Sequence, residues 1–158
     1  MFRIGVGYDS HRFIDGRALV LGGEHIPASA GLKGHSDGDA LCHAIIDAVL
    51  GAASAGDIGR HFPDTDPQYA GANSLELLRR AVAIVHEAGF VVENVDAVVI
   101  TELPKLAPHV DRIRATLADA LGTAVDAVGV KGKTNEGMGE TGRGEGMMVH
   151  AVALLRRV

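Results

Sequence analysis

The sequence predicts an α+β fold in which a mixed β-sheet carries helices packed on one face. Three observations lead there. The 158 residues are close to the length of one average domain, so a single core is expected. Strand-like and helix-like segments alternate only in part, which argues against a purely parallel βαβ winding. Residues 18–21 and 24–26 flank Gly22-Gly23 like the arms of a tight hairpin, an antiparallel unit near the start of the chain.

The elements follow in order. Residues 2–8 alternate loosely and end in the polar Asp9-Ser10-His11, which reads as a first strand. After the glycine-bearing loop 31–34, Ser36 or Asp37 can cap a helix that carries Leu41, Ile45, Ala48 and Ala52 and ends near Ser54. Asn73-Ser74-Leu75-Glu76 has the pattern of a capping box and precedes Leu77, Leu78, Ala81, Ile84 and Val85, with Gly89 as terminator. The β-branched Val98-Val99-Ile100 marks a strand over 90–103, closed by Pro104 and Pro108 and followed by a helix over about 109–121. Residues 125–131 and 147–155 read as two more strands. No repeat or linker interrupts them, so 1–158 is expected to form one domain.

Composition narrows the function. With 47% apolar, 22% charged and 4% aromatic residues, the chain is neither disordered nor fibrous. Its longest apolar runs, 81–85 and 151–155, are far below the ~20 residues needed to cross a bilayer. Asp9 arrives before any long apolar stretch, so no secretory or transit segment fits and a cytoplasmic location is expected. A net charge of -5, with no basic run beyond Arg79-Arg80 and Arg156-Arg157, argues against general nucleic-acid binding. The one cysteine, Cys42, has no internal disulfide partner and, beside Leu41, Ala44 and Ile45, reads as a small buried hydrophobe. Glycine is the outlier: 21 residues, clustered in a few loops where backbone can approach a ligand.

Asp9 and His11 stand two apart at a strand end, so their side chains point the same way, about 6 to 7 Å apart along the backbone. His43 falls on the following helix, with Asp39 and Asp47 one turn before and after it; either could orient its imidazole. One carboxylate and two imidazoles form a zinc-type donor set that leaves a tetrahedral position for a substrate oxygen. By spacing alone the same residues also read as two turn residues and a satisfied helix histidine.

Two more stretches bear on chemistry. GDIGRHFPDTDPQYAGANS, residues 56–74, is a rigid polar loop suited to ligand contact or to an ordinary solvated turn. KGKTNEGMGETGRGEG, residues 131–146, offers Lys131, Lys133, Thr134 and Arg143 with unobstructed backbone amides: the materials of a phosphate site, or of a plain hairpin loop. Glu136 within it would repel phosphate unless a hard cation such as Mg²⁺ bridges the two. No GxxxxGK[ST] is present. After Gly5 and Gly7, Ser10 stands where a dinucleotide fingerprint needs its third glycine.

Four motifs, GVGYDSHRF at 5–13, GHSDGDALCHAIIDAVLGAA at 34–53, GDIGRHFPDTDP at 56–67 and KTNEGMGETGRGEG at 133–146, resemble the 2-C-methyl-D-erythritol 2,4-cyclodiphosphate synthase family over nearly the whole chain. The resemblance implies a ring closure in 4-diphosphocytidyl-2-C-methyl-D-erythritol 2-phosphate, a cytidine diphosphate substrate: the 2-phosphate attacks the β-phosphorus and CMP leaves. Such an intramolecular transfer needs positioning and charge neutralisation more than an activated side chain.

The resemblance also implies roles. Asp9, His11 and His43 would bind one Zn²⁺ per subunit, and Glu136 would bind Mg²⁺ or Mn²⁺ against the diphosphate. His35 and Thr134 would stabilise the transition state, with Ser10 and Ser36 as substrate contacts. Asp57, Ile58 and Gly59, with Phe62, Pro63, Asp64, Thr65 and Asp66, would hold the methylerythritol part. Thr101, Glu102, Leu103, Pro104, Lys105, Leu106 and Ala107 would cradle cytosine. Lys133 and Asn135 belong to the phosphate loop, and Arg143 to a phosphate or isoprenoid-diphosphate contact. Glu140 stands where many relatives carry an aromatic residue, and also reads as an ion-pair partner of Arg143. Members of the family are homotrimers with sites between subunits, and no nucleic acid or membrane is implied. Two other readings of these residues stay open: a zinc-dependent phosphohydrolase that activates water, and a binding module for isoprenoid diphosphates.

Overall fold

Glycine placement sets the architecture. In the computed structural model, which describes residues 1–158, the first strand, β1 (Phe2–Ile14), lies directly beneath the helix α1 (Ala40–Ala52). A Cβ on Gly5 would stand 2.1 Å from the Ala48 carbonyl oxygen, and one on Gly7 1.8 Å from that of Ala44. Only glycine allows strand and helix so close. Helix α1 is buried on nearly every side, because the sheet lies under it and α3 (Ser74–Glu87) packs beside it.

β1 pairs antiparallel with β7 (Gly146–Arg157), and β7 antiparallel with β5 (Phe90–Ile100). β5 runs parallel to β6 (Val128–Lys133), while the end of β1 pairs with the short β4 (Gly31–Leu32), giving the order β4-β1-β7-β5-β6. The hairpin is present as β2 (Leu19–Leu21) and β3 (Glu24–Ile26). Helices α1, α3 and α4 (Val110–Leu121) pack against the sheet, and one cluster of 39 buried residues fills the layer between. The sheet is mixed and its helices share a face, as the sequence predicts. No helix is long and apolar enough to cross a membrane, and Cys42 is free and buried.

Boundaries differ for local reasons. β1 does not stop at Tyr8: Asp9, Ser10 and His11 stay in register opposite Val149, Met148 and Met147. Asp39, rather than Ser36 or Asp37, caps α1. Its carboxylate accepts the Cys42 amide at 3.0 Å and the Gly22 and Gly23 amides at 2.9 and 2.8 Å, tying the hairpin turn to the helix start. The helix ends at Ala52, with Ser54 left-handed at φ 57°. Asn73 caps α3 through the Leu75 and Glu76 amides, but the Glu76 side chain pairs with Arg79, so the capping box is half made. Val125–Ala127 coils into a 3-10 turn, which shifts β6 to a start at Val128. Two short helices, α2 (Ile58–His61) and α5 (Gly139–Gly142), lie inside the two polar loops.

Candidate active site

Strand alternation turns Asp9 and His11 toward the helix layer, and the close approach of α1 sets His43 against them. Asp9 Oδ2 lies 2.7 Å from His11 Nε2 and 3.1 Å from His43 Nδ1, and the two ring nitrogens are 3.4 Å apart. One donor atom from each residue falls within 4.8 Å of the others. A tetrahedral shell at zinc-type bond lengths has donor–donor edges of about 3.3 Å. The three atoms match that spacing.

Hydrogen-bond direction gives an independent test of fit. His11 Nδ1 faces the Lys33 carbonyl, which only accepts, so Nδ1 carries hydrogen and a neutral His11 presents a bare Nε2 to Asp9. Two lone pairs at that range repel unless a proton or a cation stands between them. In the metal-free chain a proton serves. Burial opposes the imidazolium, but the hydrogen bond and charge of Asp9 outweigh it, with help from the Lys33 carbonyl, and raise His11 above 6.5. Burial likewise pulls Asp9 upward, but hydrogen bonds and charges from His11 and His43 prevail and lower its carboxyl below 3.8. The residues fit a divalent cation, which binds by displacing that proton.

These donors border a cleft of about 380 Å³ together with His35, Ser36, Asp47, Ile58, Gly59, Phe62, Asp64 and Tyr69. Arg17 pins the loop that carries His35 and Ser36, donating to the Gly34 carbonyl at 2.8 Å and to the Ser36 carbonyl. His35 Nε2 donates to the Asp66 carbonyl at 3.1 Å. Neither expected carboxylate orients His43: Asp39 is spent on its cap, and Asp47 accepts the Ile58 amide at 2.8 Å, which fixes the start of α2. Burial pushes the Asp47 carboxyl above 3.8 despite that amide. His43 Nε2 instead meets Ser74 Oγ at 2.8 Å and Ser36 Oγ at 3.1 Å. Sequence reasoning misses Arg17, Tyr69 and Ser74. Tyr69 lies two residues past the GDIGRHFPDTDP motif, and the capping pattern already accounted for Ser74.

The phosphate-loop residues stand apart from this cleft. Thr101, Pro104, Lys105, Leu106, Ala107, Lys133 and Thr134 line a second cleft of about 260 Å³ that shares no residue with the first. Glu102 does not line it: Oε1 accepts the Asn135 amide at 2.9 Å and the Gly137 amide at 3.4 Å, on either side of Glu136, which is left-handed at φ 52°. Thr134 Oγ1 lies 3.4 Å from Glu136 Oε1. Leu103 is exposed and borders a separate hollow with Phe13 and Asp15.

Some expected contacts are replaced by others. Lys131 pairs with Asp96 instead of joining the phosphate set. Arg143 pairs with Glu145 at 2.6 Å rather than with Glu140. Strand alternation puts Ser10 on the opposite sheet face from Asp9 and His11, and it borders a separate hollow with His11, Arg12 and Glu140. Asp57 caps α2 through the Arg60 amide at 2.9 Å, and Asp66 accepts the Gln68 amide at 3.0 Å; neither lines the cleft, nor do Pro63 and Thr65.

A sheet-and-helix chain that delivers one carboxylate and two imidazoles to a polar cleft is, by class, an α+β metal-site protein. The chain belongs to the YgbB family, which it matches over residues 2–156. It is 58% identical over 153 residues to the 2-C-methyl-D-erythritol 2,4-cyclodiphosphate synthase of Pseudomonas aeruginosa, covering 97% of this chain and 98% of that one. Among solved structures it is similar to the bifunctional IspDF from Campylobacter jejuni, with 41% identity and a TM-score of 0.97 over 100% of this chain and 43% of that longer one. It is also similar to the CDP-bound form of a 2C-methyl-D-erythritol-2,4-cyclodiphosphate synthase, with 40% identity and a TM-score of 0.89 over 98% and 100% of the two chains. These matches agree with the resemblance carried by the four motifs.

Proposed function

We propose that the chain converts 4-diphosphocytidyl-2-C-methyl-D-erythritol 2-phosphate to 2-C-methyl-D-erythritol 2,4-cyclodiphosphate and CMP, a step of non-mevalonate isoprenoid biosynthesis. The reading is carried by the convergence of Asp9, His11 and His43 on a polar cleft, in a chain 58% identical to a relative named for that product. An oxygen of the 2-phosphate bonds to the β-phosphorus, and the bond from that phosphorus to the α–β bridging oxygen breaks, its electron pair leaving with CMP. The substrate supplies both partners, so the protein has only to hold the phosphates in line and offset their charge.

Asp9, His11 and His43 would hold Zn²⁺, and Glu136 Mg²⁺ or Mn²⁺, cations that bring positive charge to the phosphate oxygens. His35 and Thr134 would supply hydrogen bonds where negative charge builds, by turning to the substrate the hydrogens they give here to the Asp66 carbonyl and the Glu136 carboxylate. Ile58, Gly59 and Asp64 face the methylerythritol part, with Phe62 held edge-on against Tyr69 at 5.7 Å as a wall. Lys105 and Lys133, in the second cleft, suit the phosphates of a cytidine diphosphate whose base rests against Thr101–Ala107 backbone.

We take the complete site to assemble between subunits of a homotrimer, as the family resemblance implies, a reading supported by the metal donors and Thr134 lining different clefts within one chain. A second observation supports this. On the face of the sheet away from α1, Phe2, Ile4 and Val6 are 60%, 73% and 71% exposed, with Tyr8 and Val152 beside them, a contiguous apolar surface suited to burial against further copies. On this reading all 158 residues act as one synthase domain in the cytoplasm.

Incubation with the cytidyl substrate, Zn²⁺ and Mg²⁺, followed by phosphorus NMR, tests the proposal. CMP with a cyclic diphosphate, abolished by EDTA, is the expected result. CMP with only linear products would instead identify a hydrolase, and inertness with a bound prenyl diphosphate a binding module.

A further inference from the structure

The ring nitrogen of His43 that faces away from Asp9 and His11 enters a chain of donors running deeper into the fold. His43 Nε2 is 2.8 Å from Ser74 Oγ, and Ser74 is fully buried at the first turn of α3. Ser74 bonds twice to Asp37: its hydroxyl to Oδ1, and its amide to Oδ2 at 3.0 Å. An ionised carboxylate only accepts, so the Ser74 hydroxyl donates to Asp37 and its oxygen is left to accept from His43. Ser36 Oγ accepts the Gly38 amide at 3.3 Å and lies 3.3 Å from Ser74 Oγ, so with its own hydrogen given to Ser74 it is a second acceptor for the same nitrogen at 3.1 Å. Every hydrogen then runs one way, from His43 Nε2–H to Ser74 O–H to Asp37. The lone pair of His43 is thereby forced onto Nδ1, the atom 3.1 Å from Asp9 Oδ2.

We propose that Ser74 and Asp37 are positioning residues which hold His43 as the Nε2–H tautomer and so present its Nδ1 lone pair to a divalent cation bound with Asp9 and His11. The inference rests on reading those three residues as a metal site, and gives its second imidazole the outer partner that metal-binding histidines generally have. The first has its own: His11 Nδ1 is set by the Lys33 carbonyl. The relay also accounts for the seam between α3 and the loop before α1. The Asp37 amide donates to the Ala72 carbonyl at 3.0 Å and the Gly71 amide to the His35 carbonyl at 2.8 Å, so the relay and the loop carrying His35 are registered on the same helix start. Asp37 occupies the motif GHSDGD, and here its carboxylate serves the metal ligand through a residue 37 positions away.

The test uses the full chain, with Zn²⁺ as the probe. Zn²⁺ affinity is measured by competition with a chromophoric chelator for the unsubstituted chain, Ser74→Ala, Ser74→Thr, Asp37→Asn and His43→Ala, each checked for folding by circular dichroism. Ring tautomers are read by histidine ¹⁵N NMR on the unsubstituted, Zn²⁺-loaded protein. Ser74→Ala and Asp37→Asn are expected to weaken Zn²⁺ binding about 10- to 100-fold, Ser74→Thr to restore most of it by returning the hydroxyl, and NMR to show His43 protonated on Nε2. Unsubstituted affinity in both Ser74→Ala and Asp37→Asn would overturn the relay, as would His43 protonated on Nδ1, a readout that needs no variant to fold. Undiminished Zn²⁺ binding by His43→Ala would overturn the metal reading itself, and is distinguishable because it does not involve Ser74.

Discussion

Glu102 shows how a single side chain can serve a site it does not face. Its carboxylate gathers the Asn135 and Gly137 amides and so holds Glu136 between them in the left-handed region, which a β-carbon tolerates poorly without such support. Glu102→Ala frees both amides. With hydrogen bonds to a charged group contributing about 1.5–3 kcal/mol, turnover at limiting Mg²⁺ should fall about tenfold or more, with recovery as Mg²⁺ is raised. Glu102→Gln keeps an acceptor oxygen and should stay close to the unsubstituted rate. Steady-state kinetics across a Mg²⁺ series separates the two; equal loss in both variants would assign the effect to charge rather than to loop geometry.

Elements meet at positions where a small or polar residue is required. Gly7 lies under α1, and a methyl group there would stand 1.8 Å from the Ala44 carbonyl oxygen, next to His43 on the same helix. Gly7→Ala must push the helix off the strand, at about 1–3 kcal/mol or more, and should weaken Zn²⁺ binding along with urea stability because Asp9 and His43 move apart together. Asp39 ties the hairpin to α1, and Asp39→Ala should cost about 1–2 kcal/mol through the lost cap. Burial holds the Asp39 carboxyl above 3.8, opposed by the Cys42, Gly23 and Gly22 amides. A carboxyl raised in the folded state binds its proton more tightly there than when unfolded, so its contribution is greatest below pH 3.8 and is lost as pH climbs through the raised value. The stability gap between the chain and Asp39→Ala, followed by urea unfolding, should therefore narrow as pH rises; a widening gap would contradict the assignment.

For the whole molecule, the helix-free sheet face is the feature that one chain leaves unused. Val6 is 71% exposed there, with its side chain directed away from α1 and from the metal donors. Val6→Asp should leave the single-chain fold and Zn²⁺ binding in place while placing a charge in each copy of the proposed interface, which is costly to bury. Sedimentation should then show single chains in place of trimers, and ring closure should disappear with them. Activity retained by single chains would show that one subunit holds a complete site.

Local order was legible in the sequence because it is written within a few residues. The α3 cap at Asn73, its stop before Gly89, the Gly22-Gly23 hairpin and the parity of Asp9 with His11 all depend on spacings of two to four positions. The three metal donors were also legible as residue types, and the four motifs made them specific. What only the tertiary structure decided were the partners separated by long stretches of chain. Asp39 and Asp47 are the nearest carboxylates to His43 in sequence, yet packing gives both to backbone amides and gives His43 to Ser74, 31 residues away. Lys131 reads as a free cation of the phosphate loop and is paired with Asp96, 35 residues away on the neighbouring strand. The separation of Thr134 from the metal donors belongs to the same class. Periodicity fixes which face of an element a side chain occupies, but which donor finds which acceptor depends on how the layers stack, and in this chain that stacking turns on two glycines under one helix.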